Sequence, residues 1–179
     1  SYFANNQIGE LFYMMKNGQI GMISQDEQRL VLDPSGGFIQ IWPKIDATMP
    51  DILNPDENSV DNENVTKLMT YAKIFKDSNV QELDFPRIRQ DEEVPMRHVK
   101  YCMRNENGMM FRMDNRVTQI NFPDRSKLIV FWEEKSLITT HSLFGNGLFM
   151  TIESMEKSGN EDLKKKYCVA KKMIELIYK

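Results

Sequence analysis

Side chains able to do covalent or metal chemistry are few in this 179-residue chain, and they stand apart. Cys102 and Cys168 lack the C-x-x-C spacing of a zinc or redox pair, so both read as reduced thiols. His98 and His141 lack metal-ligand spacing and have no companion carboxylates or thiols nearby; each reads as an ordinary strand residue. Glu133-Glu134 reads as a charged turn and not as a catalytic carboxylate pair. Gly145-Asn146-Gly147 is followed by a strand-like run, whereas a phosphate loop opens a helix, so it reads as a turn. No nucleophile is flanked by an evident base. The chain is therefore expected to carry no catalytic residue, no metal site and no cofactor of its own.

Composition narrows the alternatives. Hydrophobic residues make up 41% and charged residues 27%, ordinary values for a globular chain. A formal charge of −3 at pH 7 argues against nucleic-acid binding through a broad basic surface. No apolar stretch approaches the roughly 18 residues of a membrane span, and Ser1-Tyr2-Phe3-Ala4-Asn5-Asn6 has neither the basic nor the apolar part of a signal peptide. With two reduced thiols this points to the cytoplasm and nucleus. The 13 Met residues are read as core fillers.

The elements that must position any site are legible as short runs. Gly9 to Met15, Gly18 to Ser24, Gln28 to Asp33 and Gly37 to Trp42 are rich in aromatic and branched residues. Lys16-Asn17-Gly18, Gln25-Asp26-Glu27 and Pro34-Ser35-Gly36-Gly37 separate them. Links this short join only neighbouring antiparallel strands. Asp46 to Asn64 reads as a loop with one short strand near its start. Val65, Leu68, Met69, Ala72 and Phe75 then recur at helical spacing, with Asn62 or Asn64 as the cap and Asp77-Ser78-Asn79 as the end.

The second half repeats the pattern. Strands are expected at His98 to Arg104, Met109 to Asp114, Val117 to Phe122, Lys127 to Trp132, Leu137 to His141 and Gly147 to Ile152. A terminal helix carries Leu163, Tyr167, Ala170, Met173, Ile174 and Ile177 on its apolar side. The halves superpose at a constant offset of 98 residues: Tyr13 on Phe111, Met15 on Met113, Asn17 on Asn115, Asp26 on Asp124, Leu30 on Leu128 and Ala72-Lys73 on Ala170-Lys171. Two copies of a sheet-then-helix unit follow, an α+β organisation with a first unit over 1–79, a linker over 80–94 and a second unit over 95–179.

That duplicated unit resembles the tandem polo boxes of polo-like kinases. The sharpest stretch runs from Gln119-Ile120-Asn121-Phe122 through Pro123-Asp124-Arg125-Ser126-Lys127 to Leu128-Ile129. In the family a similar strand turns through Asp-His-Thr-Lys into Leu-Ile. Ile8-Gly9, Gln28-Arg29-Leu30-Val31-Leu32 and Leu68-Met69-Thr70-Tyr71-Ala72-Lys73 resemble the first box. The resemblance implies two tandem polo boxes, each a six-stranded antiparallel sheet packed on a helix, gripping a phosphorylated Ser/Thr peptide in the cleft between them.

It also implies site residues. The family's phosphate-holding His and Lys fall on Arg125 and Lys127, the Lys matched and the His replaced. Two apart at the start of a strand, the pair can share a face. Two fixed cations suit a dianionic phosphate, and Arg adds a bidentate fork while losing the pH sensitivity of His. The alternative reading is two solvated charges on an exposed turn and strand. The family's groove Trp falls two positions before Ser1, so the first box is expected to be truncated at its N-terminus, its first strand and the cap before it partly or wholly missing. Trp42 and Trp132 lie in other strands and read as core. Tyr2, Val80 and Gln81 match remaining peptide-groove positions, with Gln81 a departure from the family's Leu.

The function so implied is a non-catalytic module. It would dock a polo-like serine/threonine kinase, in the cell cycle and mitosis, on partners already phosphorylated by another kinase. Sites would be the centrosome or basal body, kinetochore and division site. ATP and Mg would belong to an upstream kinase domain, since the Gly-rich loop, strand Lys, HRD-type loop and DFG-type site are absent here. That kinase domain is itself a candidate partner; nucleic acid and membrane are not. The rival is a polo-box pair that no longer reads phosphate and serves as a docking or homodimerisation scaffold.

Overall fold

A computed structural model describes residues 2–5, 9–15, 17–55, 62–77, 96–140 and 147–178, with backbone alone at 2–5 and Lys76. The chain divides into two compact units, Ser1–His98 and Val99–Lys179. The expected linker over 80–94 lies outside the described residues.

In the first unit six strands run in chain order as an antiparallel meander: β1 (Tyr2–Asn5), β2 (Glu10–Met14), β3 (Ile20–Ile23), β4 (Arg29–Leu32), β5 (Ile39–Trp42) and β6 (Asp51–Leu53). Helix α1 (Glu63–Asp77) follows. The strand expected to be cut short, β1, is four residues long and pairs over its whole length with β2. Alternation decides which residues face the helix. Phe12, Ile20, Met22, Leu30, Leu32, Ile39 and Ile41 meet Val65, Leu68, Ala72 and Phe75 of α1 in one core. Burying each large side chain there contributes about 1.5–3 kcal/mol.

The other face of that sheet carries Val31 and Trp42, which pack with Met96. The Met96 N–H donates to Gln40 Oε1 at 2.7 Å, and the His98 ring lies 4.0 Å from the Trp42 ring. Trp42 is thus a core residue, as its strand position suggested, and residues 96–98 pack on the first sheet. His98 precedes the strand it was expected to open.

The second unit has the strands β7 (Val99–Asn105), β8 (Gly108–Met113), β9 (Thr118–Asn121), β10 (Lys127–Phe131), β11 (Ser136–Thr140) and β12 (Gly147–Thr151), again a consecutive antiparallel meander. Its core joins Met110, Ile120, Leu128, Val130 and Leu137 to Leu163, Tyr167, Ala170 and Met173. Trp132 stacks on Tyr167 at 5.8 Å and donates from Nε1 to Thr118 Oγ1 at 3.0 Å. Where one terminal helix was expected there are two, α2 (Ile152–Lys157) and α3 (Glu161–Ile177). Thr151 caps α2, and Ser158-Gly159 breaks the run before Asn160 caps α3.

The repeat holds at the level of individual hydrogen bonds. Met15 N–H to Gln19 O and Gly18 N–H to Met15 O recur as Met113 N–H to Val117 O and Arg116 N–H to Met113 O. The pairing of Leu30 with Met22 and Ile41 recurs as Leu128 with Ile120 and Thr139. Asn62 Oδ1 accepts from Val65 N–H at 3.2 Å, and Asn160 Oδ1 from Leu163 N–H at 3.0 Å. Each such cap is worth about 1 kcal/mol.

Candidate functional site

The hairpin joining β9 to β10 carries the two cations. Phe122 N–H donates to Ser126 O at 2.9 Å, and Arg125 N–H donates to Phe122 O at 3.0 Å. Pro123 supplies the fixed φ that suits the start of such a turn. Arg125 closes it in the left-handed region, at φ 66°. Glycine is usual at that position of a short hairpin. Asp124 braces the turn from inside, accepting from Ser126 N–H at 2.9 Å and from Ser126 Oγ at 2.6 Å.

Arg125 and Lys127 are both exposed, while Leu128 and Val130 behind them are fully buried. Lys127 opens β10 on the face away from α3, in register with Asn121. The strand-alternation argument therefore applies to Lys127 alone. Arg125 lies in the turn, aimed by its positive φ and not by strand pleat. The hairpin that carries the two cations is rooted in a close-packed core, so an anion meets a backbone that is already ordered.

The equivalent hairpin of the first unit makes the same backbone bonds, Ser24 N–H to Gln28 O and Glu27 N–H to Ser24 O. Its corresponding residues are Glu27, at φ 63°, and Arg29. Arg29 is buried, and its guanidinium donates to the carbonyl of Glu27. The fold thus imposes the left-handed residue in both copies, and only the second copy fills the two positions with exposed cations.

Asp124 Oδ2 also accepts from Lys166 Nζ of α3 at 2.7 Å, and Lys166 reaches Asp162 at 2.8 Å. The Lys166 ammonium, with the Ser126 hydroxyl and N–H, holds the Asp124 carboxyl well below the usual carboxylate range. Burial opposes the charge of Lys166, but Asp124 and Asp162 together outweigh it and raise its pKa. Asp124 is half exposed, so the pair is worth at most about 1 kcal/mol. With a depressed folded pKa, that contribution is whole above about pH 4 and fades as the pH falls. Sequence reasoning missed Lys166. Forty-two residues separate it from Asp124, and no local pattern links them.

Tyr2 lies in β1 opposite Tyr13. Val80 and Gln81 lie outside the described residues, as do His141, Gly145 and Asn146. Gly147 opens β12, a strand. Glu133-Glu134 occupies the turn between β10 and β11 and is exposed. The two thiols are unpaired; burial pushes the Cys102 thiol up to about 12, which makes it a poor nucleophile. Among the described residues no group of three His, Cys, Asp or Glu could hold a metal ion. An acidic groove at the start of α1 holds Glu10, Asp26 and Glu63, but Lys67 bonds Glu10 at 2.9 Å and Glu63 at 2.8 Å.

The left-handed arginine gives one expected outcome. Arg125→Gly removes a backbone strain of about 1 kcal/mol, so urea unfolding should show a gain of roughly 0.5–1 kcal/mol. A loss of stability would instead make the Arg125 side chain a brace of the hairpin.

A six-stranded meander closed by a helix, made twice, defines a class of fold. No protein-family model matches the chain. Among solved structures it is similar to the budding yeast Cdc5 polo-box domain in complex with an Spc72 phosphopeptide, with TM-score 0.75 and 12% identity over 98% of this chain and 67% of that one. The budding yeast Cdc5 polo-box domain by itself gives TM-score 0.72 and 12% identity over 98% and 74%. In complex with the Dbf4 polo-interacting region it gives 0.75 and 10% over 98% and 70%. The fold of this chain is that of a polo-box domain.

Proposed function

We propose that the chain is a non-catalytic module that binds phosphoserine or phosphothreonine in partner proteins, with Arg125 and Lys127 holding the phosphate. The observation that carries this reading is the contrast between the two hairpins. One backbone geometry is used twice, and only the second copy presents two exposed cations. A phosphoryl group adds nearly two charges and three acceptor oxygens, which such a pair recognises and an unmodified hydroxyl lacks. The Cdc5 domain of the same fold, solved in complex with a phosphopeptide, supports it.

By the same reading the module targets an attached polo-like serine/threonine kinase to primed partners at the centrosome, kinetochore or division site. That kinase, and not this chain, would use ATP and Mg. A labelled Ser-pThr-Pro peptide library and its unphosphorylated twin, titrated by fluorescence polarisation, test the proposal. Tighter binding of the phosphorylated form is expected; equal binding of both forms would sink it. One observation favours the rival docking scaffold: the edge strand β12 carries no charge and leaves Leu148 and Phe149 more than half exposed. Unblunted edges of this kind pair readily with another strand.

A further inference from the structure

We propose that Lys166 is a positioning residue of the phosphate site, one that ties the β9–β10 hairpin to α3 and cancels the charge of Asp124 beside Arg125. This rests on the reading of Arg125 and Lys127 as the phosphate pair. The two groups that braces of this kind must connect are already committed. Asp124 Oδ1 is occupied by the N–H and hydroxyl of Ser126 at 2.9 and 2.6 Å, which leaves Oδ2 for the helix. Lys166 takes Oδ2 at 2.7 Å, is held from its own helix by Asp162 at 2.8 Å, and lies 5.5 Å above the Phe122 ring. Its side chain is only 14% exposed, so the ammonium is fixed in place and is not itself offered to a ligand.

The consequence is electrostatic. Asp124 is the chain neighbour of Arg125, and an unpaired carboxylate there would repel an incoming phosphate and compete for the guanidinium. Asp124, Asp162, Arg125, Lys127 and Lys166 together carry one more cation than carboxylate; without Lys166 the excess vanishes. The first unit again supplies the contrast. There a neutral amide does the tying, Asn64 Nδ2 reaching Asp26 Oδ1 at 3.4 Å and Gln28 Oε1 at 3.2 Å. The charged tie occurs in the copy that has cations to protect.

Polarisation titrations of the 179-residue chain with the labelled Ser-pThr-Pro library test this in five forms: wild type, Lys166→Met, Lys166→Arg, Asp124→Asn and the double variant Asp124→Asn/Lys166→Met. Lys166→Met is expected to weaken phosphopeptide binding about tenfold, and Lys166→Arg by less than about twofold. Asp124→Asn keeps an oxygen for Ser126 while losing the charge, so it should bind at least as tightly as wild type. The double variant should return to within about threefold of wild type, because the charge that needed cancelling has gone. A brace with no electrostatic role predicts otherwise: Asp124→Asn would also weaken binding, and the double variant would be no better than either single one. That pattern, or an unchanged Lys166→Met, overturns the inference alone. A wild-type chain that binds both peptide forms equally overturns the reading of the site, and the inference with it.

Discussion

Replacing Arg125 and Lys127 together by alanine should weaken phosphopeptide binding by at least about a hundredfold and leave the unphosphorylated peptide unaffected. Each charge-assisted bond to the phosphate is worth about 1.5–3 kcal/mol, so two lost together reach that size even with incomplete additivity. Both side chains are exposed, and the residues that root the hairpin, Leu128, Val130 and Ile120, stay untouched. Unfolding free energy should therefore move by no more than about 0.5 kcal/mol. Calorimetric titration and a urea melt of the same preparation read both halves of the expectation. A loss smaller than about threefold would assign the phosphate to other residues.

Gly108→Ala should lower stability by about 3 kcal/mol or more. Gly108 has φ 143°, a conformation that residues with a side chain rarely adopt, and a Cβ there would lie 2.4 Å from the backbone oxygen of Asn121. Strain of that kind costs about 1–3 kcal/mol, and the backbone contact adds to it because neither partner is a flexible side-chain end. The cost does not stay local. Asn121 pairs with Met109 on one side and with Lys127 on the other, so relief of the contact shifts the strand against which Lys127 is registered. A lowered urea midpoint with weakened phosphopeptide binding is expected. A variant as stable as wild type would show that the β7–β8 turn can relax without moving β9.

Much of this architecture was legible because its signals are local. Short turns between alternating runs allow only an antiparallel meander, and the offset that joins Leu30 to Leu128 and Ala72 to Ala170 recurs in the hydrogen-bond registers of both sheets. The short helix α2 left no such signal: Ile152 reads as the end of the preceding strand, and six residues are too few to show a helical stripe before Ser158-Gly159. At the site, the residue types were legible and the geometry was not. Asp124-Arg125-Ser126 contains no glycine, so nothing in the sequence announces a left-handed residue at Arg125. The tie from Lys166 to Asp124 is a tertiary contact between a turn and a helix face, and such contacts leave no periodic trace.

On the proposed function, phosphate binds at the turn of the β9–β10 hairpin. An amide NMR titration with a Ser-pThr-Pro peptide, followed by phosphatase treatment in the same tube, tests it most directly. The backbone resonances of Arg125, Ser126 and Lys127 should shift as peptide is added and return once the phosphate is removed, while those of Glu27 and Arg29 stay still. Shifts that persist after dephosphorylation, or that appear on β12 and spare the hairpin, would contradict the claim and leave a docking surface that is indifferent to phosphate.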